Sequence, residues 1–160
     1  MLKNKINIIF LVCLFILGGY CYYSNNRIKT PYVSMSEVYQ QSDLSKKFAL
    51  ELKKFEDESN QELRKIEAQI NDMQKRGIDS KTIDYERKAL LQKRDQLSQD
   101  YQKKSESYDK IVWNDINGKI SKYGKEKGYD YILGANGNGS IMYASERINI
   151  TDDVIDFINK

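Results

Sequence analysis

The residues best suited to bind a partner form a basic cluster around one short turn of the chain. Lysines and arginines outnumber acidic residues near Gly77 and Ile78. The candidate binding residues are Lys75, Arg76, Lys81, Arg87 and Lys88. Exposed cations at this density attract anionic lipid surfaces and acidic polypeptide segments. Because a solvated helix surface also explains mixed charge, the alternative is a turn that only keeps the protein soluble.

Groups that could support catalysis are scarce. The sequence contains no histidine, and its two cysteines, Cys13 and Cys21, lie in an N-terminal apolar run. These absences exclude Cys/His zinc sites, cysteine nucleophiles in the rest of the chain and a serine–histidine triad. The carboxylates occur at the spacing of solvated helix faces, with no pocket to shift their pKa values. We therefore expect no enzyme, no metal site and no cofactor.

A glycine-rich segment, residues 134–139, invites comparison with a phosphate-binding loop. No Lys-Ser/Thr pair follows it, and no helix begins directly after it. Apolar and aromatic runs flank the segment at residues 129–133 and 140–144, and the segment itself is rich in Asn-Gly. This pattern is typical of a β-hairpin, so we expect two strands joined by a turn.

The basic cluster lies at the midpoint of a mirror-symmetric apolar pattern. Apolar residues on the two sides of Gly77 pair at matching distances from the turn. The pairs are Met73 with Ile83, Ile66 with Leu90, Phe55 with Tyr101, Phe48 with Tyr108, and Leu44 with Val112. A long helix that folds back on itself, with both arms packed along one seam, produces this pattern. The sequence predicts an antiparallel coiled-coil hairpin over residues 37–127, with its tip near residues 77–80.

The predicted seam contains one weak layer and several tyrosines. Ser59 would face Leu97, and a polar residue at this position weakens the packing midway along the arms. Tyr101, Tyr108 and Tyr123 lie on the seam side of the second arm. We favour packed seam residues with hydroxyls at the solvent edge over contacts with a bound partner.

Local signals predict where the helices begin and end. A capping box at Ser34 should start the first helix, and Gly77 should end the first arm. Either Asp79 or Ser80 can cap the second arm, and Gly128 should end it in a left-handed conformation. A short C-terminal helix should follow Thr151, acting as its cap. The head would then comprise residues 31–36 and 128–160.

Residues 1–23 have the pattern of an export leader. Lys3 and Lys5 precede an apolar run over residues 6–23, about 18 residues, at the lower limit for spanning a bilayer. Both a cleaved signal peptide and an uncleaved inner-membrane anchor fit this pattern. A polar linker, residues 24–30, follows. The net charge of +3 is too small to indicate a nucleic-acid partner.

Several short stretches occur in a specific order along the chain. They are YVSMSEVY at 32–39, KGYDYIL at 127–133, IMYA at 141–144, NITDDVI at 149–155 and the final Ile158-Asn159-Lys160. This order of strand, helical hairpin, two strands and short helix resembles the Skp/OmpH family of periplasmic chaperones, over about residues 31–160. The resemblance implies an α+β fold, with a long helical hairpin projecting from a small β head in which three chains form one barrel.

A trimeric head would solve a physical problem. Three strands per chain cannot close a sheet, and trimerisation would remove the open edges. The residues expected to be buried between chains are Val33, Ile132, Ile141 and Tyr143.

The resemblance also implies a function. It indicates an ATP-independent holdase that binds unfolded outer-membrane proteins in a cavity between hairpin arms, as a homotrimer in the periplasm of a Gram-negative-type envelope. Tethering to the inner membrane by residues 6–23 and contact with anionic membrane surfaces are further expectations. The alternative is a membrane-tethered coiled-coil structural or adaptor protein of the cell envelope.

Overall fold

A helical hairpin and a small head make up the structure, a computed structural model that describes Cys13 and residues 16–19, 30–136 and 141–160. The elements are β1 (Tyr32–Ser34), α1 (Met35–Gln41), α2 (Asp43–Lys75), α3 (Ser80–Lys127), β2 (Leu133–Ala135), a 3-10 helix (Glu146–Ile148) and α4 (Thr151–Ile158). Helices α2 and α3 are the arms of the hairpin. The other elements gather around the open end of the hairpin as the head.

The predicted leader lies mostly outside the described residues. Cys13 and residues 16–19 are helical. Across the part of the chain that the structure describes, no helix is both long enough and apolar enough to cross a membrane.

The hairpin turn forms as the sequence predicts. Gly77 has a φ of 71°, a backbone conformation that residues with a side chain rarely adopt. Asp79 is the N-cap of α3, and its side chain accepts a hydrogen bond from Thr82 N. At the other end of α3, Gly128 adopts the left-handed conformation, with a φ of 66°. The predicted helix ends at Gly77 and Gly128 are therefore confirmed.

The first arm differs from the single continuous helix that its periodicity predicts. The chain is extended at Ser42, which is buried and separates α1 from α2. The Ser42 side chain accepts a hydrogen bond from Ser45 N at 3.5 Å and so caps α2. The break lets α1 turn into the head, where Val38 is fully buried. Helix α1 begins directly after its N-cap Ser34, as predicted, but the Ser34 side chain makes no capping hydrogen bond, so the capping box itself is wrong.

The sheet is parallel and has two strands. Tyr32 pairs with Leu133 and Ser34 with Ala135. Parallel neighbours need a long crossover connection, and the helical hairpin is that connection.

The predicted β-hairpin is therefore wrong within the described residues. Only Leu133 of the first predicted strand lies in β2, and residues 141–144 form no strand. Met142 and Tyr143 are 89% and 88% exposed, so this segment makes few contacts with its own chain. Residues 137–140, with the predicted Asn-Gly turn, lie outside the described part.

The core of the head is formed by β1, α1, the base of α3 and the C-terminal segment with α4. Its buried residues are Val33, Val38, Val112, Ile116, Tyr123, Ile150, Val154, Ile155 and Ile158. Full burial of a large aliphatic side chain stabilises a fold by about 1.5–3 kcal/mol. The core therefore fixes the open end of the hairpin to the sheet.

Thr151 joins α4 to the sheet and does not act as the predicted cap. The N-cap of α4 is Ile150. The Thr151 hydroxyl accepts a hydrogen bond from Ser34 N at 2.9 Å and donates one to Asn149 Oδ1 at 2.6 Å. The prediction was wrong because this hydroxyl bonds to the backbone of β1 and to the Asn149 side chain, and not to the first turn of α4.

Candidate binding surfaces

The tip of the hairpin presents the predicted basic cluster to solvent. The Asp79 carboxylate accepts hydrogen bonds from Thr82 N at 3.0 Å and from the Thr82 hydroxyl at 2.6 Å. These bonds hold the pKa of Asp79 below its usual range, because they favour the ionised carboxylate. The five candidate residues are all exposed: Lys75, Arg76, Lys81, Arg87 and Lys88. The tip therefore combines a capped turn with five accessible cations.

The two arginines of the tip are paired within their own helices. Arg76 Nη1 lies 3.4 Å from Asp72 Oδ2, and Arg87 Nη1 lies 3.8 Å from Asp84 Oδ1. Both pairs are exposed, and such pairs contribute little to stability. An anionic partner could therefore replace these carboxylates at low cost.

Aromatic residues fill the seam at the predicted register. The rings of Phe48 and Tyr108 stack, with centroids 4.0 Å apart and an interplanar angle of 3°. The ring centroids of Phe55 and Tyr101 are 6.5 Å apart, and Lys104 Nζ lies 5.1 Å from the Phe55 centroid. The predicted register is confirmed at these two layers, and both tyrosines contact the facing arm.

Polar groups close the edges of the seam. The Tyr108 hydroxyl donates a hydrogen bond to Glu51 Oε2 at 2.6 Å; this bond, together with partial burial, raises the pKa of Tyr108. Two ion pairs also join the arms, Lys93 with Glu62 at 2.9 Å and Arg94 with Glu67 at 3.2 Å. Part of the mixed charge on the arms is therefore paired between the two arms.

The weak layer predicted at Ser59 is an open cavity in the seam. Its volume is about 220 Å³, and its apolar lining comes from Phe55, Leu63, Leu97 and Tyr101. Packed protein interiors contain few voids larger than a water molecule. The Ser59 side chain is too short to fill the space that faces Leu97, so this layer contributes less packing than its neighbours.

The structure separates the predicted trimer residues into two groups. Val33 is 1% exposed and belongs to the core of its own chain. Ile132 and Ile141 are half-buried, whereas Tyr143 is 88% exposed. Only the last three residues thus retain side-chain surface for a neighbouring chain.

The exposed apolar surface of the head includes more than the predicted residues. Tyr131, Leu133 and Met142 are also exposed. A groove of about 520 Å³ lies nearby, lined in part by Trp113 and Ile132. The apolar runs in the sequence contain most of this surface, but the sequence alone did not show which side chains turn away from the core.

A family model described as outer membrane protein (OmpH-like) matches residues 29–158. The chain belongs to the OmpH-like family. The match includes the whole hairpin and nearly all of the head, so the OmpH-like resemblance drawn from the short sequence stretches is confirmed.

One solved structure shows the same OmpH-like fold. It is a proposed outer membrane chaperone (OmpH-like) from Caulobacter crescentus CB15, with a TM-score of 0.59 and 16% identity. The similarity covers 83% of this chain and 85% of that chain. No curated protein matches the chain.

Proposed function

We propose that this OmpH-like protein is an ATP-independent holdase chaperone, and not an enzyme, that binds unfolded outer-membrane proteins in the periplasm. The family match over residues 29–158 carries the proposal. The relative described as a proposed outer membrane chaperone supports it. The arm α3 has 48 residues, which corresponds to roughly 70 Å at 1.5 Å per residue. An arm of this length suits a flexible polypeptide, the client, better than a small ligand.

The surface of the arms supports a mechanism of many weak contacts. Leu50, Tyr85, Leu91 and Ile111 are exposed at separate places along α2 and α3. Single exposed apolar residues are common on soluble proteins, so none of them is a binding site alone. Distributed along two arms, they would hold a disordered client loosely and keep its strand edges from pairing with other chains.

A homotrimer is part of the proposal. The apolar head surface around Leu133, Met142 and Tyr143 gives a second copy of the chain a surface to cover. Strand β2 pairs with β1 along one edge, and its second edge would take a strand from a neighbouring chain. Three hairpins that project from one head would then enclose the client.

The tip cluster is proposed as the site of first contact. Its five cations would attract acidic segments of a client or anionic lipid head groups, and attraction of this kind mainly accelerates association.

Suppression of aggregation tests the proposed function directly. An outer-membrane protein in urea is diluted into buffer without nucleotide, with increasing amounts of the full chain, and light scattering is recorded. We expect scattering to fall in proportion to the added protein and to reach its minimum at a fixed molar ratio. Protection should need no ATP.

The alternative, an envelope adaptor or spacer, predicts a different result. A protein of that class would leave scattering unchanged even in molar excess, and that outcome would contradict the holdase proposal. Periplasmic location and the fate of residues 1–23 are tested separately, by mass spectrometry of the intact protein recovered from its membrane and soluble fractions.

A further inference from the structure

One side chain from the C-terminus spans the break in the first arm. Asn159 directly follows α4 and is its C-cap. Its Oδ1 accepts a hydrogen bond from Asp43 N at 2.9 Å, and its Nδ2 donates one to Gln41 O at 3.0 Å. Gln41 is the last residue of α1 and Asp43 is the first residue of α2. A single amide therefore joins the ends of two helices that are more than a hundred positions away in sequence.

Both hydrogen bonds satisfy backbone groups that a helix break leaves without helical partners. The first four N–H groups and the last four C=O groups of a helix lack such partners. The Ser42 hydroxyl accepts from Ser45 N and leaves Asp43 N to another acceptor. An amide carries an acceptor and a donor on one planar group, whereas an ionised carboxylate only accepts. The break thus selects Asn over Asp at position 159.

The head holds Asn159 in position. Val154, Ile155 and Ile158 bury one face of α4 in the core. Lys119 Nζ, from the base of α3, donates a hydrogen bond to Ile158 O at 2.7 Å. The residue that precedes Asn159 is therefore fixed on both its side-chain and backbone sides.

We infer that Asn159 is a positioning residue that latches the head to the base of the first arm. While α4 packs against the core, the side-chain amide of Asn159 bonds to both helix ends at Ser42 and keeps the first turn of α2 formed. Without the amide, the base of α2 opens while the rest of the hairpin stays folded. The consequence for holding a client rests on the proposed function, but the latch itself does not.

Amide hydrogen exchange of the full chain tests the latch at the atoms that form it. Asn159→Ala removes both hydrogen bonds and should accelerate exchange at Asp43 by about tenfold, the factor for loss of a hydrogen bond worth about 1.4 kcal/mol. Asn159→Asp keeps the acceptor for Asp43 N but loses the donor to Gln41 O. It should therefore leave exchange at Asp43 slower than in Asn159→Ala. Exchange at Ile116, a residue of α3 in the core of the head, should be the same in all three proteins.

A distance measurement shows whether the latch controls the base of the arm. Spin labels are attached through Lys47→Cys on α2 and Lys125→Cys on α3, with Cys13 and Cys21 changed to serine. Asn159→Ala should broaden the distance distribution, whereas Asp156→Ala, an exposed change on the same helix, should not. Unchanged exchange at Asp43, an unchanged distance distribution, or equal effects of Asn159→Ala and Asp156→Ala would each overturn the inference. Because no client is present, these outcomes are independent of the aggregation assay.

Discussion

Asp79 is the residue at which ionisation and local structure are most directly linked. Its carboxylate caps α3 through the backbone and hydroxyl of Thr82, and both bonds favour the ionised form. Its pKa in the folded chain therefore lies below that of the unfolded chain. The capping contribution is fully present above the unfolded value of about 3.9 and is lost as the pH falls through the folded value.

Acidification should therefore loosen the cap at the start of α3. We expect the Thr82 amide resonance in NMR spectra to shift only as the pH falls below the ordinary aspartate pKa of about 3.9, because the bonds to Thr82 lower the pKa of Asp79. Asp79→Ser keeps a capping oxygen that does not titrate in this range, so it is the matched control. If the Thr82 resonance moved equally in both proteins, the shift would not come from protonation of Asp79.

Single residues also mark where sequence patterns lose their predictive power. Gly77, Asp79 and Gly128 were predictable because the helix ends they form depend on their own neighbours. Thr151 has the sequence of a helix cap, but its hydroxyl bonds to Ser34 N, a contact across 117 positions. Likewise, Asn159 stands in the sequence only as part of a family-like ending, because no local pattern indicates its contact with Asp43.

Among the elements, the seam of the hairpin has one layer that can be improved. The cavity of about 220 Å³ beside Ser59 has an apolar lining that includes Leu97. Ser59→Leu should fill part of it and raise the free energy of unfolding, by no more than the lower end of the roughly 1.5–3 kcal/mol for full burial of a large aliphatic side chain, because the space is open to solvent. Thermal or urea unfolding followed by circular dichroism measures the change.

Ser107→Leu is the control for the seam layer. Ser107 is exposed on α3, so the same chemical change there fills no cavity and should leave the free energy of unfolding nearly unchanged. No gain at Ser59, or a loss, would mean that the register is wrong at this layer or that a neighbouring chain already fills the space.

At the element scale, long periodic helices were the predictable part of the fold. The stacked Phe48 and Tyr108 show that the mirror register held at the base of the arms. The break at Ser42 was not predicted, because the apolar pattern begins only at Leu44 and two of the hydrogen bonds at the break come from Asn159. The hairpin predicted after the second arm was wrong for a related reason: within the described residues, β2 pairs with β1, on the far side of the whole helical hairpin, along three residues.

For the whole molecule, assembly should depend on the apolar surface of the head. Tyr143 is 88% exposed in the single chain, so Tyr143→Asp should leave the chain folded. In a trimer that buries this position, an unpaired carboxylate carries a large desolvation cost. We expect analytical ultracentrifugation to show a trimer for the unchanged protein and monomers for Tyr143→Asp, with the helical circular dichroism signal largely retained.

The corresponding control lies on an arm. Tyr85 is 71% exposed on α3, and Tyr85→Asp should leave the trimer intact. A trimer that survived Tyr143→Asp would exclude this part of the head from the interface, and a monomeric unchanged protein would contradict the homotrimer.

Charge at the far end of the molecule should control how fast partners are captured. The tip variant changes Lys75, Arg76, Lys81, Arg87 and Lys88 to Gln. A control variant removes the same charge from exposed positions on the arms: Lys47, Lys53, Lys103, Lys110 and Lys125. If the tip makes the first contact, the tip variant should associate several-fold more slowly than the control variant, because steering depends on where charge is concentrated.

Salt dependence separates steering from a general effect of net charge. Screening acts over about 8 Å at physiological ionic strength, so the advantage of the unchanged protein over the tip variant should shrink as salt rises. Stopped-flow mixing with an unfolded outer-membrane protein and, separately, with anionic vesicles measures both association rates. A slower rate in only one assay would identify the partner that the tip attracts. Equal rates for the tip and control variants in both assays would show that the tip has no special role, since charge anywhere on the arms would then serve equally well.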